Sequence, residues 1–173
     1  MPQSFLPMAS PDPVAISLHP AAWQADRVAL ESIRRQVFVV EQGVPEAEEW
    51  DERDPLCRHV VARLENCDVV GTGRLDPVGK IGRIAVLDEY RGKGVGAAIV
   101  MYLIEQAHRD GLGEVYLYAQ VSALGFYKKL GFSPVGPEFD EVGIPHRRMN
   151  RAVGMANEQR VGFRSVEKDP HDP

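Results

Sequence analysis

Apolar residues recur along this chain with two periods, one strand-like and one helical. Residues 81 to 87, Ile-Gly-Arg-Ile-Ala-Val-Leu, are apolar and β-branched enough for a buried strand. From Gly94 to residue 109 good helix formers are apolar on most faces, which predicts a buried helix. Asp88 to Gly92 between them is polar and turn-like. Glu114 to Val121 reads as a second strand, and Ser122 to Phe132 carries a short helix. Upstream, Val14 to Leu18 alternates as an edge strand. Pro20 to Val40 sets Trp23, Val28, Leu30, Ile33, Val37 and Phe38 at helical spacing and ends before Gly43 and Pro45. Cys57 to Glu65 and Val69 to Leu75 form a hairpin about Asn66-Cys67-Asp68. After Phe132 the chain is broken by Pro134, Gly136 and Pro137, and residues 138 to 149 return as a loop and a last strand. The order is β-α-β-β-β-α-β-α-β, a mixed α/β layer fold. Residues 1–13, with four prolines, read as a flexible N-terminal tail. Residues 151–173 read as a polar C-terminal tail, around one domain at 14–150.

Composition narrows the class. The net charge of −5 argues against sequence-independent nucleic-acid binding, which needs basic surface. No apolar run is long enough to span a bilayer, and residues 1–13 lack a signal peptide's basic start and apolar stretch, so the chain reads as cytoplasmic. Cys57 and Cys67 could meet across the hairpin, but a cytoplasmic chain keeps them reduced, and they fit no zinc spacing; no metal is expected. Residues 41 to 54 hold seven acids, opposed only by Arg53. Such a run is either a solvated loop or the wall of a site for a cationic amine. On the second reading Glu41, Asp51, Asp54 and the nearby His59 are the acceptor-side candidates. A histidine in an apolar strand is more often a satisfied core residue.

The candidate chemistry lies between the central strand and its helix. Arg91, Gly92, Lys93, Gly94, Val95 and Gly96 join the two. Glycines let backbone approach a ligand, and a helix start offers free N–H groups at the positive end of its dipole, a ready anion site. A P-loop would need GxxxxGK[ST], which is absent, and a dinucleotide fingerprint would sit closer to the strand. The run Arg91-x-x-Gly94-x-Gly96 resembles the pyrophosphate loop of the GCN5-related N-acetyltransferases (GNAT). Ala123-x-x-Phe126-Tyr127-x-x-x-Gly131-Phe132 resembles that family's following helix motif, in the family's order and spacing. The resemblance spans residues 14 to 150 and is densest from 81 to 132.

It implies a mainly antiparallel twisted sheet flanked by helices, whose two central strands run parallel and splay around acetyl-CoA. Ile84, Ala85, Val86, the 91–96 loop, Gln120 and Tyr127 would then contact this co-substrate. Many members carry Asn where Gln120 stands. A backbone N–H near Ala85 or Val86 would meet the oxyanion, and Tyr127 would protonate the leaving thiolate. Adjacent helical residues point about 100° apart, so Phe126 can face the core while Tyr127 faces the cleft. Candidate bases are Glu41, Glu138, Glu141 and His146. The acceptor is a small-molecule or protein amine, and the chain a monomer or homodimer. Arg35-Gln-Val-Phe-Val-Val-Glu-Gln-Gly43, Asp51 to Asp54, His59, Gly73-Arg-Leu75, Ala119-Gln120 and Glu141 to His146 together resemble the ElaA-type branch. Two alternatives stand beside it: an acyl-homoserine-lactone-synthase-like acyltransferase, whose signature residues 34 to 75 also resemble, and a sensor that binds coenzyme A without turnover.

Overall fold

The computed structural model describes residues 15–154. The N-terminal tail expected at 1–13 lies outside these residues. So does the C-terminal one, apart from its first positions, which continue the last strand.

Four antiparallel strands make the first sheet in the order β1 (Ile16–Ala21), β2 (Arg58–Leu64), β3 (Val69–Leu75) and β4 (Ile81–Val86). Three more make the second, β5 (Glu114–Gln120), then β7 (Ile144–Ala152), then β6 (Ser133–Glu141). Helix α1 (Trp23–Arg34) follows β1, and Asp26 accepts the N–H of Ala22 at its start. It buries Leu30, Ile33 and Arg34, but Val28, placed on the apolar stripe by spacing, is 84% exposed. Beyond Arg34 the coil widens into a π-helix over Arg35–Glu41, then a single turn α2 (Glu46–Glu49). The extra residue per turn of a π-helix rotates the residues downstream of it, a device common at functional sites.

Helix α3 (Val95–Arg109) connects β4 to β5 and buries Val95, Ala98, Ile99, Val100, Leu103, Ile104 and Ala107 against the first sheet. It lies close because β3 has no side chain at Gly73. A Cβ there would stand 2.7 Å from both Ile84 and Ile99. Among the described residues the two sheets are bridged at one end of the β4–β5 pair. Lys80 and Tyr116 form a parallel bridge, and the Tyr116 N–H donates to the Gly79 carbonyl at 3.0 Å. Toward their C-terminal ends the strands part.

Two expectations are corrected. Residues 133–141 form a strand, not a loop. Its Pro and Gly residues are accommodated by a bulge between Val135 and Glu138 on an exposed edge, where a missing N–H costs little. The cysteines stand at opposite ends of β2, Cys57 before it and Cys67 in the following turn, both free, so they do not meet across the hairpin. No helix among the described residues is long and apolar enough to cross a membrane, and no metal-binding cluster occurs among them.

Candidate active site

The parting of β4 and β5 opens a cleft of about 340 Å³. One wall is the start of β4 with Lys80, Arg83 and Ile84; another is β5 with Tyr118 and Gln120. The π-helix contributes Phe38, and just beyond it lies Gln42, whose side-chain oxygen accepts from the Gln120 amide at 3.0 Å. Tyr127, on helix α4 (Leu124–Lys129), and Glu141, Ile144 and His146 of the β6–β7 hairpin complete it.

Strand β4 is bulged where it borders the cleft. Gly73 of β3 faces both Arg83 and Ile84, since Thr72 pairs with Ala85 and Arg74 with Gly82. Arg83 takes a φ of 53°, a costly conformation for a residue with a side chain. Past the bulge, the Leu87 N–H donates to the Val70 carbonyl at 2.9 Å. Strand alternation turns Ala85 the same way, toward β3, and Val86 toward the opening. The Arg91 Nε donating to the Val86 carbonyl at 2.9 Å agrees with that orientation. Of the two N–H groups expected to meet an oxyanion, the ladder therefore leaves Val86's free and engages Ala85's.

The 91–96 loop lies at the open end of β4. Gly92 and Gly94 are left-handed at φ 70° and 83°, and Gly94 starts α3 without a side-chain cap. The first N–H groups of α3 thus face outward from a positive helix end. Lys93 lies over the Tyr90 ring and pairs with no carboxylate among the described residues. Arg91 is already engaged: it donates to Val86, to Asp88 at 3.1 Å and to Glu41 at 2.6 Å. It braces the loop against the π-helix, and Glu41 is its partner.

Tyr127 is half-buried, edge-on to Phe126 at 4.9 Å and to Phe132 at 5.9 Å. Burial pushes its hydroxyl pKa up to about 12, and the hydroxyl makes no hydrogen bond among the described residues. It faces the cleft as a protonated, uncommitted donor. Phe126 does not take the core as expected: it is 38% exposed and leans over the first turn of α3, within 3.5 Å of where a Gly96 Cβ would stand.

His146 is 9% exposed and stacks on Phe139. Its Nδ1 lies 2.8 Å from the Ile144 carbonyl, which can only accept, so Nδ1 carries the proton. In the neutral ring Nε2 then carries the lone pair, and it lies 3.7 Å from Glu141 Oε2. Glu138, the other expected base on this hairpin, lies opposite Arg147 on the exposed edge strand and does not line the cleft.

Three acceptor-side candidates are placed elsewhere. Asp54 is fully buried and accepts from Arg34 and Arg74. Asp51 accepts two hydrogen bonds from Arg74, and Glu49 pairs with Arg34 at 2.6 Å and Arg83 at 3.2 Å. His59 is interior, stacked on Trp23, with Nε2 on the Asp54 carbonyl at 2.8 Å. The acid run is thus largely matched by arginines from other elements, with Glu46 also paired to Arg35. The local sequence sets only Arg53 against it because the other partners are distant along the chain. Five cleft residues also escape a sequence reading: Phe38, Gln42, Lys80, Arg83 and Tyr118. The Phe38 spacing is visible, but a π-helix has no local signature that would turn it to the cleft. Lys80 lies in what reads as a connecting loop.

A bulged strand splayed from its parallel neighbour, with a glycine-rich helix start at its end and a half-buried tyrosine across the gap, defines an acyltransferase of the GNAT type. The family model described as Acetyltransferase (GNAT) domain matches residues 24–153. The chain belongs to this family and is an N-acetyltransferase. Protein ElaA of Escherichia coli (strain K12) is 36% identical over 137 residues, 74% of this chain and 88% of that one. The uncharacterized N-acetyltransferase YjcF of Bacillus subtilis (strain 168) is 42% identical over 122 residues, 68% and 86% of the two chains. The crystal structure of E. coli ElaA matches with a TM-score of 0.69 at 31% identity, covering 79% of this chain and 99% of that one. An acyl-CoA N-acyltransferase from Pseudomonas aeruginosa matches with a TM-score of 0.71 at 31% identity, covering 80% and 100%. Within the family the chain falls in the ElaA-type branch.

Proposed function

We propose that this protein transfers the acetyl group of acetyl-CoA directly to an amine while both substrates are bound. The observation that carries the reading is Tyr127, a protonated hydroxyl without a partner among the described residues, lining the gap between β4 and β5. The residues present fit the co-substrate. Gly92, Lys93, Gly94, Val95, Gly96 and the start of α3 form a cradle for pyrophosphate, with Lys93 supplying the uncommitted charge and Arg91 bracing the loop. Ile84 and Gln120 line the way inward.

The amine's nitrogen attacks the thioester carbonyl carbon, and His146 Nε2 takes the ammonium proton that blocks its lone pair. Glu141, on the Nε2 side of the ring, stabilises the imidazolium that results. As negative charge grows on the carbonyl oxygen, the Val86 N–H turned into the gap stabilises it. The carbon–sulfur bond then breaks, and Tyr127 gives the thiolate its proton. The new amide nitrogen loses its second proton to solvent, and the proton held by His146 returns through solvent to the Tyr127 phenolate, which restores both groups. No covalent enzyme intermediate is involved, and neither cysteine takes part.

The test is a thiol-release screen with acetyl-CoA across an amine library, with acetylated product verified by mass spectrometry. Turnover of at least one amine supports the reading; binding of acetyl-CoA without transfer to any amine overturns it.

A further inference from the structure

Resting on the acetyl transfer proposed above, we infer that the acceptor is a small amine that also bears a carboxylate, and that Lys80 holds the carboxylate. The acidic segment, which suggested a site for a cationic amine, is largely engaged within the fold. Arg34, Arg74 and Arg83 stand against Glu49, Asp51 and Asp54, and Arg53 stands against Asp76 at 2.7 Å. Lys80 is left over. It lines the cleft at the pinned end of β4, its Nζ lies 4.2 Å from the Tyr118 ring centroid, and it pairs with no carboxylate among the described residues. An ammonium half-removed from water with only an aromatic face beneath it lacks the partner that its desolvation calls for. Burial accordingly pushes its pKa down, opposed by the more distant charge of Glu141.

The neighbouring Arg83 adds to the positive side. It is held by Glu49 and Asp51, and its buried Nε has no well-aligned acceptor. Across the cleft stand Glu141 and the Nε2 lone pair of His146; Glu48, on the rim, is exposed to water. One wall therefore offers a cation and the other a carboxylate backed by a base. A molecule with an ammonium and a carboxylate on one short skeleton matches both walls, whereas a polyamine would set a second cation against Lys80. The acceptor class is the amino carboxylates, with free amino acids its simplest members.

The experiment compares each L-amino acid with its own α-carboxamide as acceptor, reading the ratio of kcat/KM values. That ratio does not depend on how much of a preparation is active. The parent should favour the carboxylate about ten- to a hundredfold, the range for a charge-assisted hydrogen bond. Lys80→Gln should bring the ratio near one, and Lys80→Arg should keep it well above one. A parent that treats carboxamides as well as carboxylates, or a ratio unchanged in Lys80→Gln, overturns the inference while leaving the acetyl transfer standing. No transfer to any amine overturns both.

Discussion

Arg34 and Arg74, from different elements, donate to one and the same oxygen, Oδ1 of Asp54, at 2.7 and 2.6 Å. All three side chains are shielded from water, and Asp54 Oδ2 has no partner of its own among the described residues. Breaking a buried ion pair leaves uncompensated charge, which costs about 3–5 kcal/mol. Asp54→Asn keeps the shape and removes the charge, so urea unfolding should show a loss of that order. If Asp54 instead served an acceptor, acceptor KM would rise with stability little changed.

Asp51 gives the same network a pH signature. Burial raises its pKa, but the hydrogen bonds and charge of Arg74, with Arg83 behind, more than offset this and hold it at about 2, below its ordinary 3.8. The folded state therefore binds this proton more weakly than the unfolded chain. Its stabilisation is complete above the unfolded value and is lost as pH falls from about 4 toward 2. Denaturation at pH 7 and at pH 3 should show a smaller difference for Asp51→Asn than for the parent.

Tyr127→Phe keeps the ring contacts with Phe126 and Phe132 and removes only the hydroxyl. As the proton donor to the thiolate, its loss should lower kcat roughly 10²–10⁴-fold with acetyl-CoA affinity nearly kept. The deficit should shrink above about pH 8.5, where a simple thiolate leaves unprotonated. A mutant with parental kcat at every pH would make the ring a packing residue.

Gly96 separates a binding role for the loop from a folding one. Unlike Gly92 and Gly94 it has no left-handed φ, and a Cβ would meet Phe126 and Val86 only at ordinary contact distances of 3.5 and 3.8 Å. Gly96→Val should therefore leave thermal stability close to parental while its methyl groups crowd the space before α3. Calorimetry should find acetyl-CoA bound about tenfold or more weakly, a loss of about 1.4 kcal/mol. Unchanged affinity would move the co-substrate away from this turn.

Much of the frame is legible in the sequence because it rests on local pattern. The strand–turn–helix from Ile81 to Arg109 is written in periodicity and glycine placement, and Ala123 to Phe132 in a short motif. The features that escape depend on distant partners. Acids at 41 to 54 look alike in sequence, and only the fold distinguishes Asp54, buried under two arginines, from Glu48, left in water. The β6 strand is hidden because proline and glycine read as breaks, although an exposed bulged edge tolerates both. The φ of Arg83 has no cue at all: a non-glycine residue is forced there by a bulge that only the pairing with β3 reveals.

The bridge between Lys80 and Tyr116 has a mechanical consequence. The two sheets behave as beams clamped at that seam, tied by the Tyr116–Gly79 hydrogen bond and joined behind by α3. A small rotation about a clamp displaces the free tips most and the root least. Such a rotation would leave the span from Lys80 to Tyr118 nearly unchanged and alter mainly the separation near Val86 and Gln120. On the proposed reading, the acceptor would be measured at the root of the lever and the long co-substrate admitted at its tip.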